Sequence, residues 1–314
     1  MTGYIVRRLF GVAINLVLVS ILVFFVLGVI PGDIASAILG PDAQPGQVQE
    51  WREAHGLDGS LVSRYFEWAG GVIRGDMGDS LRSNLPVINE FMNRLPITLE
   101  VLILSFFVTT LIGVAGGVIS ATRQNSGADY AARVFAIAGL SIPNFLLLTL
   151  LLIIPAKLWS YAPPFGAVKF FDEPLPNLEL FVPATVLLAI SASAGLMRLT
   201  RSAFLEVMRQ DYMRTARAKG LSERVVTFRH GFRNAVPPIL TLLGLQFANL
   251  MGGSVILESV MGLPGLGTWT LSAITFKDYP IVMAVSLYFA AIIMMLSLLV
   301  DLTYAWLDPR IRYS

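Results

Sequence analysis

Few side chains in this sequence could carry covalent chemistry. There is no cysteine, which excludes disulfides, thiol catalysis and thiolate-bound metals. The two histidines, His55 and His230, lie far apart, and no paired-histidine metal motif or Gly-x-Ser-x-Gly nucleophile turn occurs. No lysine precedes a serine or threonine, so the chain has no phosphate-binding P-loop. The cluster Gly262-Leu263-Pro264-Gly265-Leu266-Gly267 lacks such a lysine and reads as a tight turn or re-entrant loop. The expectation is a protein with no catalytic residues, no metal site and no cofactor of its own. If it works with ATP, another subunit binds the nucleotide.

Two groups of residues remain. The first is polar and uncharged: Asn144, Gln246 and Asn249 interrupt otherwise apolar stretches. They are candidates for lining a solute pathway, and the competing role is hydrogen bonding between helices. The second is the segment 198–233, with nine Lys/Arg against Glu206, Asp211 and Glu223. That excess fits the cytoplasmic side of a membrane and contact with anionic lipid. Its centre holds Asp211, Arg214, Ala216, Arg217, Lys219, Gly220, Leu221 and Ser222. The stretch 198–219 has neither Pro nor Gly and is dense in helix formers. Gly220 suits a left-handed cap, and Ser222 an N-cap for a second, short helix through Val225, Val226 and Phe228. Asn234 and Pro237-Pro238 are expected to close that helix. Ala216, Ala218 and Gly220 are small enough to admit another protein surface, so the loop reads as a docking site.

The elements that must position these residues are membrane spans. The chain is 55% hydrophobic and only 14% charged, with a mean hydropathy of +0.69. A soluble domain carries about 25% charged residues. Six runs lack any Asp, Glu, Lys or Arg: 9–30, 101–122, 134–156, 180–197, 234–257 and 281–300. Each approaches the roughly 20 helical residues needed to cross a bilayer, and backbone groups in lipid require a helix. The first run is too long for a signal peptide and reads as an uncleaved span. The Lys/Arg distribution puts both termini in the cytoplasm. Net charge is only +2, which argues against a nucleic-acid partner. Glu100, Glu258 and Asp301 fall at span ends, where hydration is cheap. No charge lies mid-span, which speaks against an ion-coupled carrier acting alone. Gly113-x-x-x-Gly117 and Gly244-x-x-x-Ala248-x-x-x-Gly252 read as faces for tight helix packing.

The segment 31–96 is different in kind. It opens with Pro31-Gly32-Asp33 and contains two stretches, 47–55 and 61–74, that could form short amphipathic helices anchored by Trp51 and Trp68. It is either a plain connection or a docking face for an extracytoplasmic partner.

The run Asp211-Tyr212…Ala216-Arg217-Ala218-Lys219-Gly220-Leu221-Ser222, followed by His230…Arg233-Asn234-Ala235 and Pro237, resembles the cytoplasmic loop of ABC-importer permeases of the dipeptide/oligopeptide type. Tyr4-Ile5-Val6-Arg7-Arg8-Leu9, Leu95-Pro96…Thr98-Leu99-Glu100, Pro264-Gly265-Leu266-Gly267, Asp278-Tyr279-Pro280 and Leu307-Asp308-Pro309-Arg310-Ile311-Arg312 are similar to the same family. The order of segments resembles the B-type permease subunit. The resemblance implies an all-α integral membrane protein of the type I importer fold, with six transmembrane helices: a five-helix core and a peripheral first helix. It divides the chain into 1–30, an extracytoplasmic segment 31–96, a permease core 97–307 containing the coupling loop 198–234, and a tail 308–314. It implies a homologous permease, two ATP-binding subunits that carry ATP and Mg, an extracytoplasmic binding protein and a place in the cell (inner) membrane. The loop around Gly220 would be the coupling helix. The general importer loop has Glu-Ala-Ala where this chain has Arg214-Thr215-Ala216, so only Ala216 and Gly220 match it directly. The implied substrates are peptides, with nickel, glutathione or oligosaccharide as alternatives.

Overall fold

A computed structural model of the chain describes residues 2–29, 34–40, 42–162, 166 and 170–307. Pro31-Gly32-Asp33, Pro41, Lys169 and the tail 308–314 with Arg310 and Arg312 lie outside the described residues. The regular structure among the described residues is helical: α1 (Thr2–Val29), α2 (Ile34–Leu39), α3 (Pro45–Ala54), α4 (Leu61–Ile73), α5 (Val87–Thr122), α6 (Gly127–Ser141), α7 (Asn144–Trp159), α8 (Pro174–Met208), α9 (Asp211–Ala218), α10 (Glu223–Val225), a π-helical stretch Val226–Phe232, α11 (Arg233–Met261), α12 (Leu266–Thr275) and α13 (Tyr279–Leu307). Five stretches are long and apolar enough to cross a membrane, and α6 with α7 would make a sixth. Almost none of the apolar length of α1 is buried within the chain, whereas more than half of that of α8 is. This fits the expected peripheral first helix.

The third span departs from expectation. The run 134–156 is not one helix, because α6 and α7 meet at an angle of 91°. Pro143 is the cause. It has no N–H to donate and disfavours the helical conformation in the residue before it. Ile142 accordingly sits at φ −96°, ψ 121°, and Asn144 starts the next helix.

The fifth span departs in the opposite sense. The helix after Ser222 does not stop at Asn234 or Pro237-Pro238, but continues from Glu223 to Met261. The two prolines remove two donors from the backbone ladder. Polar side chains satisfy carbonyls in this region. Asn234 Nδ2 donates to the His230 carbonyl at 2.7 Å, and the Tyr304 hydroxyl bonds the Pro237 carbonyl and pairs with Thr241. The π-helical stretch ends at Phe232, about one turn before the prolines.

The chain forms two compact units. One comprises Met1–Pro96 and Pro264–Leu298. Here the expected amphipathic helices are present as α3 and α4. α4 packs on α1 through Phe24, Tyr65 and Trp68, with the Phe24 ring centroid 5.5 Å from Tyr65 and 5.7 Å from Trp68. Ser20 Oγ pairs with the Tyr65 hydroxyl at 3.0 Å. A second core joins Val87 and Phe91 to Leu266 of α12 and Val285 of α13. The loop before α13 is tied down by Asp278, whose buried carboxylate accepts from Ser80 Oγ (2.6 Å) and from the Leu81 N–H (3.1 Å). The Gly/Pro cluster is a turn, as expected: Gly262 takes a left-handed conformation, and α12 follows it.

The other unit comprises Ile97–Leu263 and Leu299–Ser314, with α8 at its centre. Gly113 and Gly117 of α5 lie so close to Leu196 and Thr200 of α8 that an added methyl would meet them at 2.7 and 2.6 Å. This close-packed face is the one the Gly113-x-x-x-Gly117 spacing predicts. The second expected face is present only in part: Gly244 packs on Val300 of α13, with an added methyl at 3.5 Å. Gly252 meets nothing, while Gly253 packs on Leu188 of α8. Glu258 also departs from expectation. Instead of being hydrated at a span end, it is fully buried and accepts from Thr98 Oγ1 at 2.7 Å.

Candidate functional site

The segment between α8 and α11 is built around α9. The helix has two faces. Met213 and Ala216 are buried and pack with Val226 of the π-helical stretch and Met208 at the end of α8. Gly231 lets this cluster close, since an added methyl there would meet Met208, Phe204 and Met213 at 3.1, 3.2 and 3.4 Å. On the other face, Asp211, Arg214, Arg217 and Lys219 are exposed. Asp211 accepts from Arg214 at 3.4 Å, one turn along.

α9 ends in a Schellman cap. The Leu221 N–H bonds the Ala216 carbonyl (3.4 Å) and the Gly220 N–H bonds the Arg217 carbonyl (2.9 Å). This closure needs a left-handed residue, and Gly220 has φ +78°. Space around Gly220 is open, so backbone conformation alone demands glycine there. Arg217 then reaches across the turn to Glu223. Ser222 occupies the N-cap position as expected, without a side-chain bond to the helix. The expected helix–Gly–helix motif is therefore present, with a break at Arg209–Gln210 that sets α9 apart from α8.

The structure divides the eight loop residues. Ala216 faces inward and holds α9 in place; the other seven are exposed. Leu221 is the apolar member of the seven, and Tyr212, Val225 and Phe228 stand exposed beside them. Partial burial lifts the Tyr212 phenol above its usual range. Exposed apolar groups next to a charged helix face are found at surfaces that contact a protein or a membrane.

The three pathway candidates are not joined by hydrogen bonds among the described residues. Asn144 opens α7 at the 91° break, and its Oδ1 is buried with no partner. Gln246 is half-buried and Asn249 exposed, one turn apart on α11. On the other unit, a cavity of about 550 Å³ is lined by His55, Arg64, Trp68, Asp79 and Tyr279 among others. Burial draws the Arg64 guanidinium below its usual range, and the Glu67 carboxylate opposes this.

Residues 113–313 match the family described as binding-protein-dependent transport system inner membrane component, and residues 1–102 match the N-terminal family of the same systems. The chain belongs to this family and is an ABC importer permease subunit. It is similar to the glutathione transport system permease protein GsiC of Escherichia coli (strain K12), with 36% identity over 314 residues and 100% of both chains covered. The same identity and coverage hold for GsiC of Shigella flexneri serotype 5b (strain 8401). In fold it is similar to a crystal structure of an amino acid ABC transporter with histidines (TM-score 0.53, 18% identity, 68% of this chain and 92% of that one). It is also similar to an inward-facing MetNI methionine ABC transporter (TM-score 0.52, 19% identity, 69% and 96%).

One feature of the permease escaped sequence reasoning. Asp129 at the start of α6 is fully buried, and its carboxylate is joined to the Asn125 N–H (3.0 Å) and to three side chains. Ser120 Oγ donates at 2.6 Å, Arg201 Nε of α8 at 3.0 Å, and Arg133 one turn along also pairs with it. In sequence Asp129 is an ordinary N-terminal acid, and the only local sign is Arg133 four residues on. Arg201 is far away in the chain, so the link to α8 has no sequence signature.

Proposed function

We propose that this permease forms, with a homologous permease, a translocation pathway for peptides delivered by an extracytoplasmic binding protein. Two ATP-binding partner subunits carry ATP and Mg and supply the driving energy, and the chain itself binds no cofactor. Both termini face the cytoplasm of a cell whose inner membrane holds the complex. The ATPases dock on Asp211, Arg214, Arg217, Lys219, Gly220, Leu221 and Ser222, with Ala216 anchoring α9 from beneath. The segment 31–96 faces the binding protein, and Asn144, Gln246 and Asn249 contribute to the pathway within the core 97–307.

The observation that carries this reading is the construction of α9. A two-faced helix of eight residues, pinned by Met213 and Ala216 and capped by Gly220, presents charge and exposed apolar side chains from a chain with no P-loop. ATP-driven closure of the partners pushes on α9, and the spans change from inward- to outward-facing. By linkage, ATP and the docked binding protein must favour the same state.

Within the peptide class, glutathione is the substrate favoured by the GsiC relatives, whose name states glutathione transport. Nickel and oligosaccharide have no such support. The test is the complex reconstituted in proteoliposomes with its binding protein. Glutathione or short peptides should stimulate ATP hydrolysis and accumulate only when ATP is present. Uphill transport by this chain alone would refute the assignment.

A further inference from the structure

Beyond the docking surface, a groove of about 350 Å³ lies between α6 and α8 beside the Asp129–Arg201 link. Its α6 wall includes Arg133, Ala136, Ile137 and Leu140, on one face at helical spacing. Its α8 wall includes Met197, Arg198 and Arg201. The groove is therefore charged at one end and apolar at the other. Arg133 and Leu140 are separated by about 10 Å along the helix axis.

The charge at the polar end is not balanced. Arg133 and Arg201 share the single carboxylate of Asp129. Arg198 has no hydrogen-bond or ion-pair partner for its side chain among the described residues, and no other acid lines the groove. Three guanidiniums against one carboxylate leave two positive charges. The neighbouring face of α6 is exposed and lipid-like: Tyr130 (56%), Val134 (65%) and Ile137 (67%) follow at one-turn spacing. Arg133 lies over the Tyr130 ring at 5.5 Å, an aromatic–cation pair of the kind found at a membrane–water interface.

We propose that this groove binds one anionic phospholipid, its phosphate at Arg133, Arg198 and Arg201 and its upper acyl chain along Ile137, Leu140 and Met197. Free phosphate would leave the apolar half unused, and a zwitterionic lipid would not answer the two uncompensated charges. Basic pockets between transmembrane helices take anionic headgroups by this chemistry. The bound lipid would brace α6 against α8 at the same point as Asp129.

The test uses the assembled importer in detergent with a photoactivatable phosphatidylglycerol, followed by mapping of the labelled peptides. Label is expected within 132–140 and 197–202. A phosphatidylcholine analogue should label them roughly fivefold less, and Arg198→Gln should lower phosphatidylglycerol labelling by a similar factor, as for loss of one interfacial charge. Arg198 holds no side-chain partner among the described residues, so this variant should assemble normally. Ile137→Trp, at an exposed position, provides a second test by filling the apolar half, and should also reduce labelling. Equal labelling by the two lipids, indifference to both variants, or full competition by inorganic phosphate would overturn the proposal. So would labelling of the isolated chain that disappears on assembly, because the groove would then be a subunit interface.

Discussion

Arg217 Nε and Glu223 Oε1 stand 2.8 Å apart, on opposite sides of the Gly220 turn. The pair closes the bend that separates α9 from α10. Both side chains are substantially exposed, and exposed pairs contribute about 0–1 kcal/mol. The ion pair therefore follows the turn more than it makes it. Glu223→Gln should leave transport within about twofold of the parent in proteoliposomes.

Gly220 is the residue the turn requires. At φ +78° an L side chain is strained by roughly 1–2 kcal/mol, and a β-branched one by more. Gly220→Val should depress transport and coupled ATP hydrolysis while membrane insertion stays normal. Gly220→Asn should be milder, because asparagine tolerates the left-handed region. Normal transport in the valine variant would remove the coupling role.

Ala216 is buried beneath α9 with Met213 and Val226. Ala216→Phe would overpack this contact, at a cost of about 1–3 kcal/mol. The expected result is faster proteolysis within 209–222 of the inserted permease and loss of ATPase co-purification. Unchanged proteolysis would show that α9 does not depend on this contact.

Asp129 holds Ser120, Arg133 and Arg201 together. Asp129→Asn removes the charge that two arginines share, and should lower the thermal midpoint in detergent. The fall should exceed that of Ser126→Ala, which removes a helix cap and an exposed bond to the Arg123 carbonyl, together worth about 1–2 kcal/mol. A smaller fall for Asp129→Asn would contradict a structural role for the network.

Asp278 is almost wholly buried and accepts two hydrogen bonds from Ser80 and Leu81. Asp278→Ala leaves both donors unpaired, at about 1–3 kcal/mol each. Ser80→Ala leaves the carboxylate one bond short and also takes the acceptor from the Arg82 and Ser83 N–H groups, so it should destabilise to a comparable extent. Thermal unfolding of the two variants checks this, and an unchanged midpoint for both would contradict a structural role for the contact.

Sequence alone determined the helical class, the number of membrane stretches, the helix–Gly220–helix loop and the family, because these rest on local quantities. An apolar run long enough to span lipid, a glycine after a helix, or a motif of adjacent residues is complete within a short window. Tertiary structure decided the rest. It turned one expected span into two helices at Pro143, and carried another through Pro237 and Pro238, where Asn234 and Tyr304 bond nearby carbonyls. It moved the packing glycine from Gly252 to Gly253, buried Glu258 against Thr98, and turned Ala216 inward. The Gly253–Leu188 approach, the Glu258–Thr98 bond and the Tyr304–Pro237 bond depend on partners that lie tens of residues or more away in the chain, where neither hydrophobic period nor local motif records them. The break at Pro143 and the inward turn of Ala216 have local causes, proline chemistry and neighbours within ten residues, which an apolar run or a loop motif does not reveal.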